Sequence, residues 1–345
     1  MLTKDFYFDL PEELIAQHPS NIRGEDKLMV LEKNTGKVTH HMMNELPELI
    51  PEDALMIFND SKVRRSRVYG IKETTGRECE FLFIQPLGEN KWKAMVKNAK
   101  KQRVGCKYQF PDGSIASIIK NPADEGTEFR TIEFNCNITE EWFEVNGHIP
   151  LPPYIRRQDT QEDSSRYQNI YAKETGSAAC PTAGLHFTKK MLETLETKGI
   201  QKAWVTLHVG LGTFLPVRAE QIKDHKMHYE SYSITSETAK LVTEAKKINR
   251  PILAVGTTSV RTLESAWDEE KQILPSGTGN TNIFIYPGYK FKVVNKLFTN
   301  FHTPESTLLM LVSAFAGKEK IMNAYTQAVE NRYRFFSYGD AMLLL

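Results

Sequence analysis

Six short runs of alternating apolar and polar residues lie between positions 66 and 134, and they constrain the fold more than any other feature. They are Arg67–Lys72, Cys79–Pro86, Lys91–Lys97, Gly105–Phe110, Ser114–Lys120 and Glu128–Phe134. Turn-forming residues separate them: Thr75-Gly76, Gly88 to Asn90, Pro111 to Gly113 and Asp124 to Gly126. A period of two gives each run one apolar face. Runs at this spacing build a small antiparallel barrel or sandwich. With 345 residues the chain is far longer than such a unit needs, so the barrel shares it with a second domain.

The flanking sequence has a different texture. Beyond residue 150, helix and strand patterns alternate. Lys189–Lys198 reads as a helix stopped by Gly199, followed by the strand Ala203–Val209. Ser236–Asn249 reads as an amphipathic helix with Ser236 at its N-cap, followed by the strand Ile252–Gly256 and a helix reaching Trp267. Before the barrel, Pro11–Ala16 reads as a helix start and Ala54–Asn59 as a buried strand. Such alternation defines α/β architecture. The predicted fold is therefore an α/β core, a mixed sheet with helices formed by residues 1–65 and 151–345. An antiparallel β-barrel, residues 66–150, is inserted into it.

Charge narrows the partners. Lys plus Arg number 44 and Asp plus Glu 43, so gross charge does not hold nucleic acid. Local patches remain. Arg64, Arg65 and Arg67 lie in an acid-free run from Lys62 to Lys72. Lys97, Lys100, Lys101 and Arg103 lie in another, from Val96 to Lys107, and Arg156-Arg157 follows a Pro-Pro pair. These runs are either solvated hairpins or tracks for a phosphate backbone. The four cysteines are widely separated, which fits a reducing compartment and offers no zinc knuckle. The N-terminus lacks a signal-type apolar core, and Leu308–Gly317 is about half the length of a membrane span. The expectation is a cytoplasmic monomer without membrane contact.

Several polar segments sit where strands end. Gly256 is followed by Thr257, Thr258 and Ser259 at the start of a helix that carries Arg261 and Glu264. The hydroxyls either cap that helix or join its free N–H groups in holding an anion. Arg261 and Glu264 lie on one helical face, as an ion pair or as ligand contacts. Pro181–Thr188 carries Thr182, Gly184 and His186, and Leu207–Phe214 carries His208, Gly210, Gly212 and Thr213. His225-x-x-His228-x-Glu230 could ligate zinc, but with no supporting Cys or HExxH pattern an acid–base pair is the better reading. Asn300 and His302 precede an apolar helix, and the tail Tyr333–Asp340 contains Tyr338.

Taken in order, these segments resemble the S-adenosylmethionine:tRNA ribosyltransferase-isomerase family of queuosine biosynthesis. The matching stretches are Phe8–Pro11, Asn59-Asp60, Gly147–Ile155, Arg166–Gln168, Pro181–Thr188, Val205–Gly210, His225–Glu230, Gly256–Arg261, Thr299–His302 and Tyr333–Asp340. The chain departs from the family pattern at Asp26-Lys27, where Ser-Arg is usual, at Ser66 and at Cys180. The resemblance implies an α/β domain interrupted by a β-barrel. It also implies transfer and isomerisation of the ribosyl part of S-adenosylmethionine onto 7-aminomethyl-7-deazaguanine in tRNA. Epoxyqueuosine-tRNA forms, and adenine and methionine leave. S-adenosylmethionine is then a co-substrate, tRNA the partner, and no cofactor or metal is expected. On this basis His186, His228 and Glu230 are expected to move protons, with His208 or His302 in reserve. Thr257, Thr258, Ser259 and Arg261 suit the methionine carboxylate. Asn59, Asp60, Asn300 and Asp340 are expected to read the base edge or the ribose hydroxyls.

Overall fold

A computed structural model describes residues 1–121, 128–210 and 217–345 of the chain. Four strands precede the insertion: β1 (Lys27–Leu31), β2 (Val38–Met42), β3 (Leu55–Asn59) and β4 (Ser61–Val63). Six form the barrel: β5 (Arg67–Lys72), β6 (Glu78–Pro86), β7 (Lys91–Val96), β8 (Lys107–Gln109), β9 (Ile115–Lys120) and β10 (Phe129–Phe134). Seven follow: β11 (Glu174–Ser177), β12 (Gln201–Leu207), β13 (Glu230–Ile234), β14 (Ile252–Val255), β15 (Gly277–Thr281), β16 (Lys296–Asn300) and β17 (Ala341–Leu344).

The core sheet has the order β15-β13-β12-β3-β14-β16-β17-β1-β2. Its centre, β12-β3-β14-β16, is parallel, and β17 returns antiparallel to β16. Alternate residues of each central strand go to opposite faces and fill two separate cores. Leu55, Ile57, Ala254 and Leu297 pack on one side with the helices Ser236–Lys247, Thr257–Ala266 and Thr307–Ala316. Met56, Phe58, Leu253 and Phe298 pack on the other with Lys189–Thr197. Burial on both faces explains why these strands read as continuous apolar runs.

The barrel closes in the order β10-β7-β6-β5-β8-β9. All six predicted runs form strands, although the turn Asp124–Gly126 lies outside the described residues. Phe81, Phe83, Trp92, Tyr108, Phe110 and Phe134 fill the barrel, and Phe143 from the helix Glu140–Asn146 joins them. Arg64 tethers this unit to the core. Its guanidinium lies 5.1 Å from the Trp92 ring and 5.4 Å from Phe143, and it pairs with Glu140.

Three local expectations change. The segment after Pro11 makes only a single 3₁₀ turn, Glu12–Leu14, because Ile15 is drawn into a bridge with Phe335. The N-cap of Ser236–Lys247 is Thr235, whose hydroxyl accepts from the Thr238 N–H at 3.2 Å. The hydroxyl run after Gly256 does not cap its helix: Gly256, at φ +88°, is the N-cap and no side chain takes the cap position.

Candidate active site

Parallel strands direct their carboxyl ends to one edge of a sheet, where α/β proteins bind ligands. Here that edge gathers Asn59 from β3, His208–Gly210 after β12, Gly256–Thr258 after β14 and Asn300–His302 after β16. The antiparallel return of β17 adds Ser337. A cavity opens there, lined by Tyr154, Tyr167, Thr182, Thr258, Arg261 and Asn300, with Thr257, His302 and Ser337 beside them. Its enclosed part measures about 80 Å³. Ligand pockets usually need roughly 300–1,000 Å³, so the enclosed part takes one end of a substrate while the rest extends outward.

Unmet hydrogen bonds mark this cavity as a binding site. Buried polar groups are ordinarily paired. Yet Arg261 Nε and Nη2, Thr258 Oγ1 and Asn300 Oδ1 are all buried without a partner, and all three residues line the cavity. Arg261 stands on the helix Thr257–Ala266, and its Nη1 donates to the buried Glu230 carboxylate. The other oxygen of Glu230 accepts from the Gly210 N–H at 2.8 Å. One edge of the guanidinium is thus anchored and the other is open. Thr257 and Thr258, at the uncapped start of that helix, line the same cavity. Together they form a cradle for a carboxylate. Arg261 therefore pairs with Glu230 across 31 positions and not with Glu264, its neighbour on the helix.

Glu264 has a different task. Its carboxylate accepts from the N–H groups of Lys292, Val293 and Val294 at 2.8, 3.0 and 2.9 Å and from Tyr289 OH at 3.1 Å. It ties a loop to the helix and is removed from the ligand-contact set. Asn59 is likewise saturated. Its Oδ1 accepts from the N–H groups of Ser61 at 3.1 Å and Leu207 at 3.0 Å, and its amide donates to the Leu207 carbonyl at 3.0 Å. It clamps β3 to β12. Asp340 accepts from the N–H groups of Lys27 and Arg334 at 3.0 and 2.7 Å. Tyr338 donates to Asp163 at 2.7 Å. Ser259 returns its hydroxyl to the Val255 carbonyl at 2.9 Å. Each of these pairings ties two parts of the fold together. Asp60 accepts from the Thr206 hydroxyl at 2.7 Å, with burial raising its carboxyl above the usual range.

The histidines separate by location. His186 is buried behind Asn300, outside the cavity lining, with Nδ1 2.7 Å from Asp26 and Nε2 3.0 Å from the Asn300 amide. Both ring nitrogens face partners, so His186 could act as a base on substrate only by exchanging one of them. His302 lines the cavity, with Nε2 2.9 Å from the Thr299 hydroxyl. Burial pushes its pKa down to about 3, so it stays neutral and is a weak base. His208 is also lowered by burial, and its Nδ1 packs on Gly176 without a partner. His228 is exposed, in a separate smaller pocket with His225 and Glu230 that shares Arg261 and Leu308 with the cavity. Gly210 is described, whereas Gly212 and Thr213 lie outside the described residues.

Gly184 shows why the loop that follows the cavity-lining Pro181–Ala183 needs glycine. A Cβ there would lie 2.0 Å from Tyr171 OH and 2.5 Å from Asn169 Nδ2. That same amide donates to the Pro181 carbonyl at 3.1 Å, which fixes the loop under the cavity.

The basic runs also divide. Arg64 is spent on Glu140 and two aromatic rings. Arg67 pairs with Glu80 at 3.0 Å and donates to the Leu151 carbonyl at 2.9 Å. Arg157 grips Asp163 with two bonds, 2.6 and 2.8 Å. Arg64 and Arg157 thereby serve as structural ties. Arg65 is half-buried. Lys97, Lys100, Lys101, Arg103 and Arg156 are exposed. Lys97 and Arg156 also line a cleft of about 720 Å³ between barrel and core.

Sequence reasoning passed over Tyr154, Tyr167, Thr299 and Ser337 as individual contacts. Membership in the Gly147–Ile155, Arg166–Gln168, Thr299–His302 and Tyr333–Asp340 segments was the signal that could have found them.

The fold and cavity define an α/β enzyme with an inserted barrel and a carboxylate cradle at the sheet's carboxyl edge. The profile of the queuosine biosynthesis protein family matches residues 3–344. An S-adenosylmethionine:tRNA ribosyltransferase-isomerase from Treponema denticola is 58% identical over the full length of both chains. One from Caldanaerobacter subterraneus subsp. tengcongensis is 46% identical, again over both full lengths. The solved S-adenosylmethionine tRNA ribosyltransferase of Thermotoga maritima superposes with a TM-score of 0.55 at 35% identity, covering 99% of this chain and 100% of that one. The chain belongs to the queuosine biosynthesis protein family. Among the described residues, no helix is long and apolar enough to cross a membrane.

Proposed function

We infer that this chain transfers the ribosyl portion of S-adenosylmethionine to 7-aminomethyl-7-deazaguanine in tRNA and isomerises it, releasing adenine and methionine. The observation that carries the site assignment is the open edge of Arg261, buried and unpartnered beside an uncapped helix start. A free carboxylate is the end of S-adenosylmethionine that such a cradle takes. Glu230 offsets the charge of Arg261, so affinity there rests on directed N–H bonds more than on net charge.

With the methionine end seated, we place the sulfonium toward the smaller pocket beyond Arg261, where His228 stands. A sulfonium acidifies the carbon next to it. His228 takes that proton, because Glu230 is bound by Arg261 and His302 is a weak base. The co-substrate is S-adenosylmethionine, and no resident metal takes part.

The direct test is adenine release. The protein incubated with S-adenosylmethionine should release adenine and methionine with tRNA carrying the aminomethyl-deazaguanine, and not with tRNA lacking it. Excess chelator should leave the rate unchanged. Release that ignores the tRNA modification would point to a small-molecule enzyme on the same scaffold.

The tRNA approaches across the exposed basic face of the barrel, along the cleft that Lys97 and Arg156 line. Reversing charge at Lys100, Lys101 and Arg103 together removes up to three cations from the path of the phosphate backbone. Each phosphate left without its cation should flatten the slope of log affinity against log salt by roughly 0.7–0.9. Binding titrations from low to moderate salt measure this, and an unchanged slope would place the RNA elsewhere.

A further inference from the structure

We propose that Asp26, acting through His186, holds the Asn300 amide with its oxygen turned into the cavity, so that Asn300 accepts a hydrogen bond from an amino group of S-adenosylmethionine. This deepens the ribosyl-transfer reading and rests on it.

The orientation of Asn300 follows from its partners. Its Nδ2 lies 3.2 Å from the Phe336 carbonyl and 3.0 Å from His186 Nε2. A carbonyl only accepts, so the atom facing it is the amide nitrogen. Both amide hydrogens are then spent. Oδ1 is left buried, without a partner, in a residue that lines the cavity. An acceptor in that state calls for a donor from the ligand.

His186 can accept from Asn300 only if its own proton sits on Nδ1. That nitrogen faces Asp26 Oδ2 at 2.7 Å, and the other Asp26 oxygen takes Arg334 Nη2 at 2.9 Å. A carboxylate cannot donate, so it fixes the tautomer of the imidazole. Burial pushes the Asp26 carboxyl up, but His186 and Arg334 pull it below the usual range, which keeps it ionised. Asp26 and His186 are positioning residues, and Asn300 is the contact. The carboxylate cradle at Arg261 opens on the same cavity. S-adenosylmethionine offers two amino groups, the methionine ammonium and the adenine 6-amino group.

Asp26→Asn tests this relay of hydrogen bonds. Arg334 should retain the new amide oxygen, which turns the NH₂ toward His186. The imidazole proton then moves to Nε2 and meets the Asn300 NH₂ donor to donor, which displaces the amide and its oxygen although the Phe336 carbonyl still takes one amide hydrogen. Asn300→Leu removes the acceptor directly. The measurement is kcat/KM with modified tRNA for S-adenosylmethionine and two analogues, one lacking the α-amino group and one lacking the adenine 6-amino group. The unmutated chain should lose about tenfold to a hundredfold on one analogue. Both variants should lose a similar factor on S-adenosylmethionine and no further factor on that analogue, which thereby names the group. A merely structural role would lower all three substrates alike. Discrimination as strong in the variants as in the unmutated chain overturns the proposal. So does a ¹⁵N NMR signature that keeps the His186 proton on Nδ1 in Asp26→Asn. No turnover of S-adenosylmethionine by the unmutated chain would instead defeat the ribosyl-transfer reading, and the NMR arm would still decide the Asp26–His186–Asn300 arrangement.

Discussion

Arg261→Met should reduce kcat/KM for S-adenosylmethionine by about thirtyfold or more and also destabilise the fold. The two effects have separate causes. The open edge of the guanidinium is the proposed anchor for the substrate carboxylate, and removing a charged hydrogen-bonding partner there costs about 2–5 kcal/mol. The anchored edge neutralises Glu230, which is only 6% exposed. Removing one partner of a buried pair leaves the other charge uncompensated, at about 3–5 kcal/mol. Replacing both partners is often neutral. The double variant Arg261→Met, Glu230→Leu should therefore regain most of the stability, measured by urea unfolding, while activity stays abolished. Recovery of activity along with stability would show that Arg261 serves the fold alone.

His228→Ala should lower turnover by about 10²–10⁴-fold, the usual contribution of a positioned general base. Its ring is exposed, so stability should change by less than about 0.5 kcal/mol. Substrate binding should hold, since the carboxylate cradle is untouched, and the loss should fall on kcat. Single-turnover adenine release separates the two constants. A variant that turns over within a few-fold of the unmutated chain would remove His228 as the base. The proton would then have to leave through Glu230, at the cost of its pair with Arg261.

The two functional faces differ in how they depend on the fold. The cavity uses groups that strand ends bring together from positions far apart in sequence, so it exists only in the folded core. The basic face uses the short run Lys97–Arg103 on one barrel edge, which is already contiguous in the chain. Arg64 and Arg157 show the limit of reading charge from sequence. Each lies in a basic run, and each is claimed by an acid whose proximity is set by the tertiary fold: Glu140 from the barrel's closing helix for one, Asp163 for the other.

Period-two alternation determined the six barrel strands, because a side chain's face in a strand depends only on its position in the run. The change of texture along the chain determined that an α/β core is interrupted by that barrel. Gly199, at φ +79°, and the polar loops after Asn59, Val255 and Asn300 marked element ends, because end signals are local backbone chemistry. Tertiary structure alone decided which polar residues are free to act. The pairing of Arg261 with Glu230, the spending of Glu264 on three backbone N–H groups, the saturation of Asn59 and the placement of His186 behind Asn300 all join groups many residues apart. A side chain's residue type states what it can donate or accept, but only its neighbours in space decide whether that capacity is already used.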